Sequence, residues 1–297
     1  MTTLVFRRRG AGAIVCAAVW LWTASALGQQ PPNRPLERRP AGASQLPGQL
    51  ARQPYRAPGT NGPSNRPPTP ADAIRVVEAS LAALEPVADY SCVLIKRERI
   101  AGRLTHAERL AIKLRHDPFS VYVNYLAPDK VKGQEAIYVH GHNDNRLLAH
   151  PNGLKGRLVG TFKLDPQGKM AMEGNRYPIT DLGVKRMAES WLEEARRDVQ
   201  FVRCSAKIIP GAKVNERPCT CVELTRLEHH HDSPFRITRL FIDAELRLPV
   251  RYEAYEWSAQ PGGEPELAEE YTYLQFQPNR RFSDLDFDVQ NPEYKFK

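Results

Sequence analysis

The sequence predicts an α+β fold: an antiparallel sheet of about ten strands with an N-terminal helix and a mid-chain helix packed on it. Three observations predict it. Apolar residues recur at three- and four-residue spacing in two places, 74–84 and 184–195. Between and after these stretches the period drops to two. Short turn clusters separate the strand-like runs, which joins sequence neighbours as antiparallel hairpins.

Thr69-Pro70 opens the first helix with a capping residue and a proline in the first turn. Ile74, Val77, Leu81 and Leu84 then share one face, and Pro86 stops the run. Strands follow at 90–100 and 104–115 around the turn Ala101-Gly102-Arg103. Leu110, Ile112 and Leu114 alternate with Arg109, Lys113 and Arg115, so one sheet face is dry and the other wet or ligand-facing. The alternation continues at 119–126, 135–140 and 146–150, broken by turn chemistry at 117–118, 128–133 and 141–145. Thr180 is the expected cap of the second helix, with Asp181 at the positive end of its dipole. Val184, Met187, Ala188, Trp191, Leu192 and Ala195 form its apolar stripe. Five further strands are expected at 199–209, 219–227, 235–243, 249–257 and 267–276, with 210–218 as a loop.

Residues 1–28 have the layout of a cleavable signal peptide. Arg7, Arg8 and Arg9 precede an apolar run at 11–21, and Ala24-Ser25-Ala26-Leu27-Gly28 supplies small residues for a cut after Ala26 or Gly28. The run is shorter than the roughly 20 apolar residues a membrane span needs, which favours a leader over an anchor. Cys16 lies inside it without a lipoprotein-type context and reads as a passenger. No Phe-Leu follows the arginines, so the general secretory route fits better than the twin-arginine route. The expected location is therefore periplasmic or extracellular.

Residues 29–69 carry ten prolines and only Leu36, Leu46, Leu50 and Tyr55 as large apolar residues. Such a stretch buries too little surface to offset its ordering entropy, so it reads as a disordered linker. A single β-rich domain is expected at 70–297. The chain has 42 Lys and Arg against 34 Asp and Glu, net +8. Residues 1–69 hold nine of the arginines and one acid, Glu37, which leaves 33 of each sign in the domain. The basic balance belongs to the leader and linker, and it gives no argument that the domain binds nucleic acid.

Past the leader stand Cys92, Cys204, Cys219 and Cys221. An even count in an exported chain favours disulfides, and four cysteines allow three pairings. Cys219 and Cys221 lie two apart in a strand-like run, so each seeks a distant partner. A zinc site is the rival reading, but Cys-x-Cys is not the usual spacing.

Several stretches together resemble a family of uncharacterised exported bacterial proteins, domain-of-unknown-function family 1571. They are Tyr90-Ser91-Cys92, Arg115-His116-Asp117-Pro118-Phe119-Ser120-Val121-Tyr122 and Gly133-Gln134-Glu135-Ala136-Ile137-Tyr138. The likeness continues in Asn175-Arg176-Tyr177-Pro178-Ile179-Thr180-Asp181-Leu182-Gly183, Phe241-Ile242-Asp243 and Glu269-Glu270-Tyr271-Thr272-Tyr273. It ends in Asp286-Phe287 and Tyr294-Lys295-Phe296. It covers nearly all of 72–297 and implies a fold more than an activity. It also implies a cysteine at both positions 92 and 219, hence a Cys92–Cys219 bond, with Cys204–Cys221 as the remaining pair. At the level of element order the chain further resembles periplasmic lipoprotein carriers and related anti-sigma-factor partner proteins. That likeness implies a strongly curved sheet with helices in its concave face, and fold alone does not fix function.

Catalytic patterns are weak. There is no Gly-x-Ser-x-Gly elbow, no His-Glu-x-x-His and no phosphate-cradling glycine loop. Glu269 and Glu270 point to opposite faces of a strand. Glu98 and Glu108 can meet across the first hairpin, but beside Lys96, Arg97, Arg99 and Arg109 they read as cross-strand ion pairs. His140, His142, His150 and Asp144 could offer metal ligands, as could His229-His230-His231-Asp232; both sets read better as polar turns. No metal and no cofactor are expected.

Aromatic residues are the better clue. Phe119, Tyr122, Tyr125, Tyr138, Trp191, Tyr252, Tyr255 and Trp257 could line an apolar groove between a curved sheet and a helix, or simply fill a core. The leading expectation is a non-catalytic envelope protein that binds or carries a lipid or acyl chain. The alternative is an interaction module that pairs an edge strand with an envelope protein. A hydrolase or metal-dependent enzyme ranks third.

Overall fold

The computed structural model describes residues 66–153, 158, 160–230, 233–260 and 262–296. The leader, the linker up to residue 65, and His231 and Asp232 lie outside the described residues. Helix α1 (Pro70–Ala82) starts where the sequence places it. Thr69 and Asp72 cap each other: the Asp72 carboxylate accepts from the Thr69 amide at 2.8 Å while the Thr69 hydroxyl accepts from the Asp72 amide. Hydrogen bonds from Thr69 hold the Asp72 carboxyl well below the usual carboxylate range.

The strands are β1 (Asp89–Ile100), β2 (Arg103–Leu104), β3 (Glu108–Arg115), β4 (Ser120–Ala127), β5 (Glu135–Val139), β6 (Leu147–His150) and β7 (Phe162–Leu164). After helix α2 (Val184–Phe201) come β8 (Cys204–Val214), β9 (Arg217–Arg226), β10 (Phe235–Asp243), β11 (Pro249–Glu256) and β12 (Glu266–Pro278). Two meanders share one antiparallel sheet in the order β7-β6-β5-β4-β3-β1-β12-β11-β10-β9-β8, with β2 paired to β1. The chain's first and last strands therefore meet at the centre. An open sheet of more than about ten strands must curl. β-Bulges help it do so: β12 carries an extra residue opposite Ser91–Val93 of β1 and another, Ala268, opposite Ala254–Tyr255 of β11, and β8 carries one between Ile209 and Ala212.

Alternation sorts the faces. Tyr90, Cys92, Leu94, Lys96 and Glu98 of β1 are buried on the inner face. There Ala188, Trp191, Leu192 and Ala195 of α2, with Ala73, Val76 and Val77 of α1, pack on Val222, Leu224, Leu240, Tyr252 and Ala268. The β3–β6 half of that face packs Leu110, Ile112, Val121, Val123 and Leu147 with Tyr273 of β12. On the outer face the C-terminal segment closes back: Phe287, Tyr294 and Phe296 cover Tyr122, Ile137 and Val139, and the Tyr122 and Tyr294 rings stack 3.8 Å apart.

The architecture is the α+β arrangement the sequence predicts, with corrections. Among the described residues there are twelve strands; β2 and β7 are too short for a period to show. α2 runs through Val199 to Phe201, so the expected strand at 199–209 begins only at Cys204. The expected loop 210–218 is mostly strand. β8 continues past the bulge at Pro210-Gly211 to Val214 and returns through Asn215-Glu216, both at positive φ, as a two-residue hairpin turn requires. Thr180 does not cap α2. It sits in a 3-10 turn, Ile179–Asp181, and the helix starts after Gly183.

Gly183 is needed there. Its φ is +121°, and a Cβ would stand 2.8 Å from both Leu114 Cδ1 and the Tyr90 hydroxyl, which accepts from the Val184 amide at 3.1 Å. Gly183→Ala is expected to cost roughly 1–3 kcal/mol, the scale of a strained backbone residue. Urea unfolding measures it; an unchanged midpoint would contradict this geometry.

The expected Cys92–Cys219 and Cys204–Cys221 bonds are not formed; all four thiols are free. The sheet order explains this. β12, β11 and β10 lie between β1 with Cys92 and β9 with Cys219, a separation of roughly 19 Å at about 4.8 Å per strand. Cys221 is opposite Ile209, and Cys204 is opposite Arg226, five positions along the hairpin. Burial raises every one of these thiols, Cys219 to about 11 and Cys221 to about 12, which leaves them poor nucleophiles.

Candidate functional site

α2 covers the inner face over β8–β12, while the β3–β6 half is covered in part by the segment 170–182. Between them opens a cleft of about 1060 Å³. Leu110, Val123, Ala136, Leu147, Ala149 and Phe162 wall it on the sheet side, and Met170, Ile179, Leu182, Met187 and Trp191 wall it opposite.

Its floor is charged. The inner-face parity of β1 turns Lys96 and Glu98 inward, and that of β12 turns Glu269, Tyr271 and Tyr273 inward. Lys96 Nζ bridges Glu98 at 3.4 Å and Glu108 at 3.3 Å, and donates to Asn175 Oδ1 at 2.6 Å. Glu98 accepts from the Tyr271 hydroxyl at 2.6 Å and from the Arg176 amide at 3.1 Å. Arg176 Nε lies 2.8 Å from Glu269, which also accepts from the Tyr177 hydroxyl at 2.9 Å. Behind this cluster Arg226 pairs with Asp198, and both side chains are 1% exposed. Glu194 Oε2 stands 3.7 Å from the same guanidinium, without a hydrogen bond.

Burial dominates the electrostatics. It pushes the Glu269 carboxyl up to about 8 against the opposing pull of Arg176, and raises Glu194 against that of Arg226. Glu269 therefore holds its proton more tightly in the folded state than in the unfolded one, whose ordinary value is 4.5. The stability this proton confers is complete below about pH 4.5 and is lost as pH rises through about 8. Glu269→Gln should remove that loss. Between pH 5 and 9 the variant is expected to lose less stability than the parent in urea unfolding; parallel curves would contradict it.

Of the eight aromatic residues expected to line a groove, the cleft gathers Tyr125, Trp191 and Tyr252. Phe119 and Tyr138 line a smaller pocket of about 330 Å³ with His116 and His140. Tyr122 is on the outer face against Tyr294. The Tyr255 hydroxyl donates to Glu253 at 2.9 Å, under Arg239, and Trp257 sits between Arg236 and His229. Parity separates these sets, because Tyr122 and Tyr125 are three apart in one strand and must face opposite ways. Glu98 and Glu108 do form ion pairs, but through Lys96 and inside the cleft. Glu270 faces outward to Arg97 and Arg251, as parity requires. The histidines disperse: His140 and His142 are exposed, Asp144 pairs with Lys163, and His150 is buried against Phe296. Among the described residues no group of three or more metal-ligating side chains converges.

The floor joins two strings already notable in the sequence, Asn175-Arg176-Tyr177 and Glu269-Glu270-Tyr271. The chain matches, over residues 87–296, the family described as "Protein of unknown function (DUF1571)". It belongs to that family. No curated protein matches it. Among solved structures it is similar to a DUF1329 family protein from Desulfovibrio piger, at 10% identity and TM-score 0.37, over 74% of this chain and 98% of that one. It is similar to the MucA/MucB complex of Pseudomonas aeruginosa at 15% identity and TM-score 0.42, over 73% of this chain and 60% of that one. The lipoprotein LppX of Mycobacterium tuberculosis matches at 11% identity and TM-score 0.40, over 71% of this chain and 98% of that one. At such values these likenesses carry no functional weight, and the functional reading rests on the cleft of this DUF1571 protein.

Proposed function

We propose that this family member is an exported, non-catalytic envelope protein that holds a lipid or acyl-chain ligand in the cleft between its sheet and α2. The carrying observation is the cleft itself. Its volume of about 1060 Å³ stands at the upper end of the roughly 300–1,000 Å³ typical of small-molecule sites. Aliphatic side chains wall it from two sides, which suits a flexible apolar chain. A non-catalytic role is supported by the floor, whose cations are engaged by carboxylates, and by thiols that burial keeps protonated.

The edge-strand reading has less support. β7, at one edge, is only three residues long. β8, at the other, carries a bulge at Pro210-Gly211 and the charges of Lys207 and Lys213, features that blunt strand addition.

Uptake of N-phenyl-1-naphthylamine, an uncharged lipophilic fluorophore, tests the proposal. Ala149 and Ala136 face each other across β6 and β5 and both line the cleft. The parent protein should enhance the probe's fluorescence saturably, and Ala149→Trp, which fills the cleft, should abolish the enhancement while keeping the parent's circular dichroism. Equal enhancement by both proteins would contradict the assignment.

A further inference from the structure

The floor also specifies the polar end of the ligand, an inference that rests on the cleft being a binding site. Nine carboxyl-bearing residues line the cleft against Lys96, Lys130 and Arg186. Eight remain when Glu135, whose carboxylate accepts from Tyr122 and the Lys295 amide, is set aside. The deep cations are already paired with carboxylates. Lys96 is divided between Glu98, Glu108 and Asn175. Arg176 is divided between Glu269 and Glu256, and Arg226 is paired with Asp198 while its Nη1 has no hydrogen bond. A phosphate or carboxylate head would enter a lining in which carboxyl groups outnumber cationic side chains.

An acceptor is left over as well. Glu194 Oε2 has no hydrogen bond. The Tyr252 side chain, 7% exposed, also lines the cleft. Around these groups the Tyr177 and Tyr252 rings stand 6.3 and 6.4 Å from that of Tyr271, with Trp191 alongside in the lining. Carboxylate oxygens and aromatic faces together attract a desolvated ammonium. We propose that the ligand is an amphiphile whose polar end is an ammonium group, held between Glu194, Glu269 and the tyrosines of the floor, with its apolar chain along the Leu110–Phe162 wall. Burial raises the Glu194 and Glu269 carboxyls against the pull of Arg226 and Arg176, and a bound cation would add to that pull.

The test is displacement of N-phenyl-1-naphthylamine from the full chain, below micelle-forming concentrations, by hexadecyltrimethylammonium, hexadecanol and hexadecanoate. These share one chain and differ in head charge. The cation is expected to displace the probe at a concentration about tenfold lower than hexadecanoate, a difference of about 1.4 kcal/mol. Glu269→Gln and Glu194→Gln should each shrink that ratio, and Tyr252→Phe offers a third variant that leaves the charges in place. Equal displacement by cation and anion, preference for the anion, or a cation preference that survives both glutamine variants would overturn the head-group assignment and leave the apolar site standing. Failure of the probe and all three amphiphiles to bind would overturn both.

Discussion

Trp191→Ala is expected to destabilise the protein by about 3–5 kcal/mol, the range for truncating a buried aromatic side chain. Trp191 is 2% exposed at the middle of α2, where it joins helix to sheet. Its indole N–H donates to the Thr238 hydroxyl at 3.1 Å, so truncation also leaves a buried hydroxyl without that donor. For a domain of this size the loss corresponds to a fall of roughly 6–20 °C in Tm. Trp191 also lines the cleft, so Trp191→Phe, which keeps most of the volume, should cost far less. Thermal unfolding of the two variants decides it. A Trp191→Ala protein that melts within about 2 °C of the parent would mean that α2 is not anchored through this ring.

Asp198→Ala has the second large expected effect. Asp198 lies near the C-terminal end of α2, and Arg226 closes β9; both side chains are 1% exposed and hydrogen-bonded to each other. Ser233 also donates to Asp198. Removing one partner of such a pair leaves a buried uncompensated charge and costs about 3–5 kcal/mol. Replacing both partners by apolar residues of similar volume is often near neutral, so Asp198→Leu with Arg226→Met should be more stable than Asp198→Ala alone. Glu194 then loses its nearby guanidinium and is held more firmly in its protonated form. If the double variant is the less stable of the two in urea, the pair contributes more through its geometry than this account allows.

Both effects concern α2, whose apolar stripe was legible in the sequence, and the contrast with the site is instructive. Val184, Ala188, Trp191, Leu192 and Ala195 declare a buried helix face through local spacing alone. Likewise β1 and β3 declare their dry face by alternation. What local spacing cannot carry is which strands become neighbours. β1 pairs with β12, at the far end of the chain, and that pairing separates Cys92 from Cys219. The same pairing brings Glu98 to Tyr271 and sets Lys96 beside the 175–177 segment. A charged floor assembled from residues 96, 108, 176, 194 and 269 has no short-range signature. One signal was nevertheless present. Glu269, Tyr271 and Tyr273 share parity on β12, and the same rule that turned Glu270 outward put Glu269 among them. Applied to the aromatic residues, that rule removes Tyr122 from the groove and keeps Tyr125.

The most direct test of the central claim is native mass spectrometry of the protein purified from the envelope of its own cell without detergent. A mass excess the size of a single lipid is expected, released as a small molecule on denaturation and absent from the Ala149→Trp protein prepared in the same way. The bare polypeptide mass in repeated preparations, with a protein partner retained instead, would contradict it and favour an interaction module.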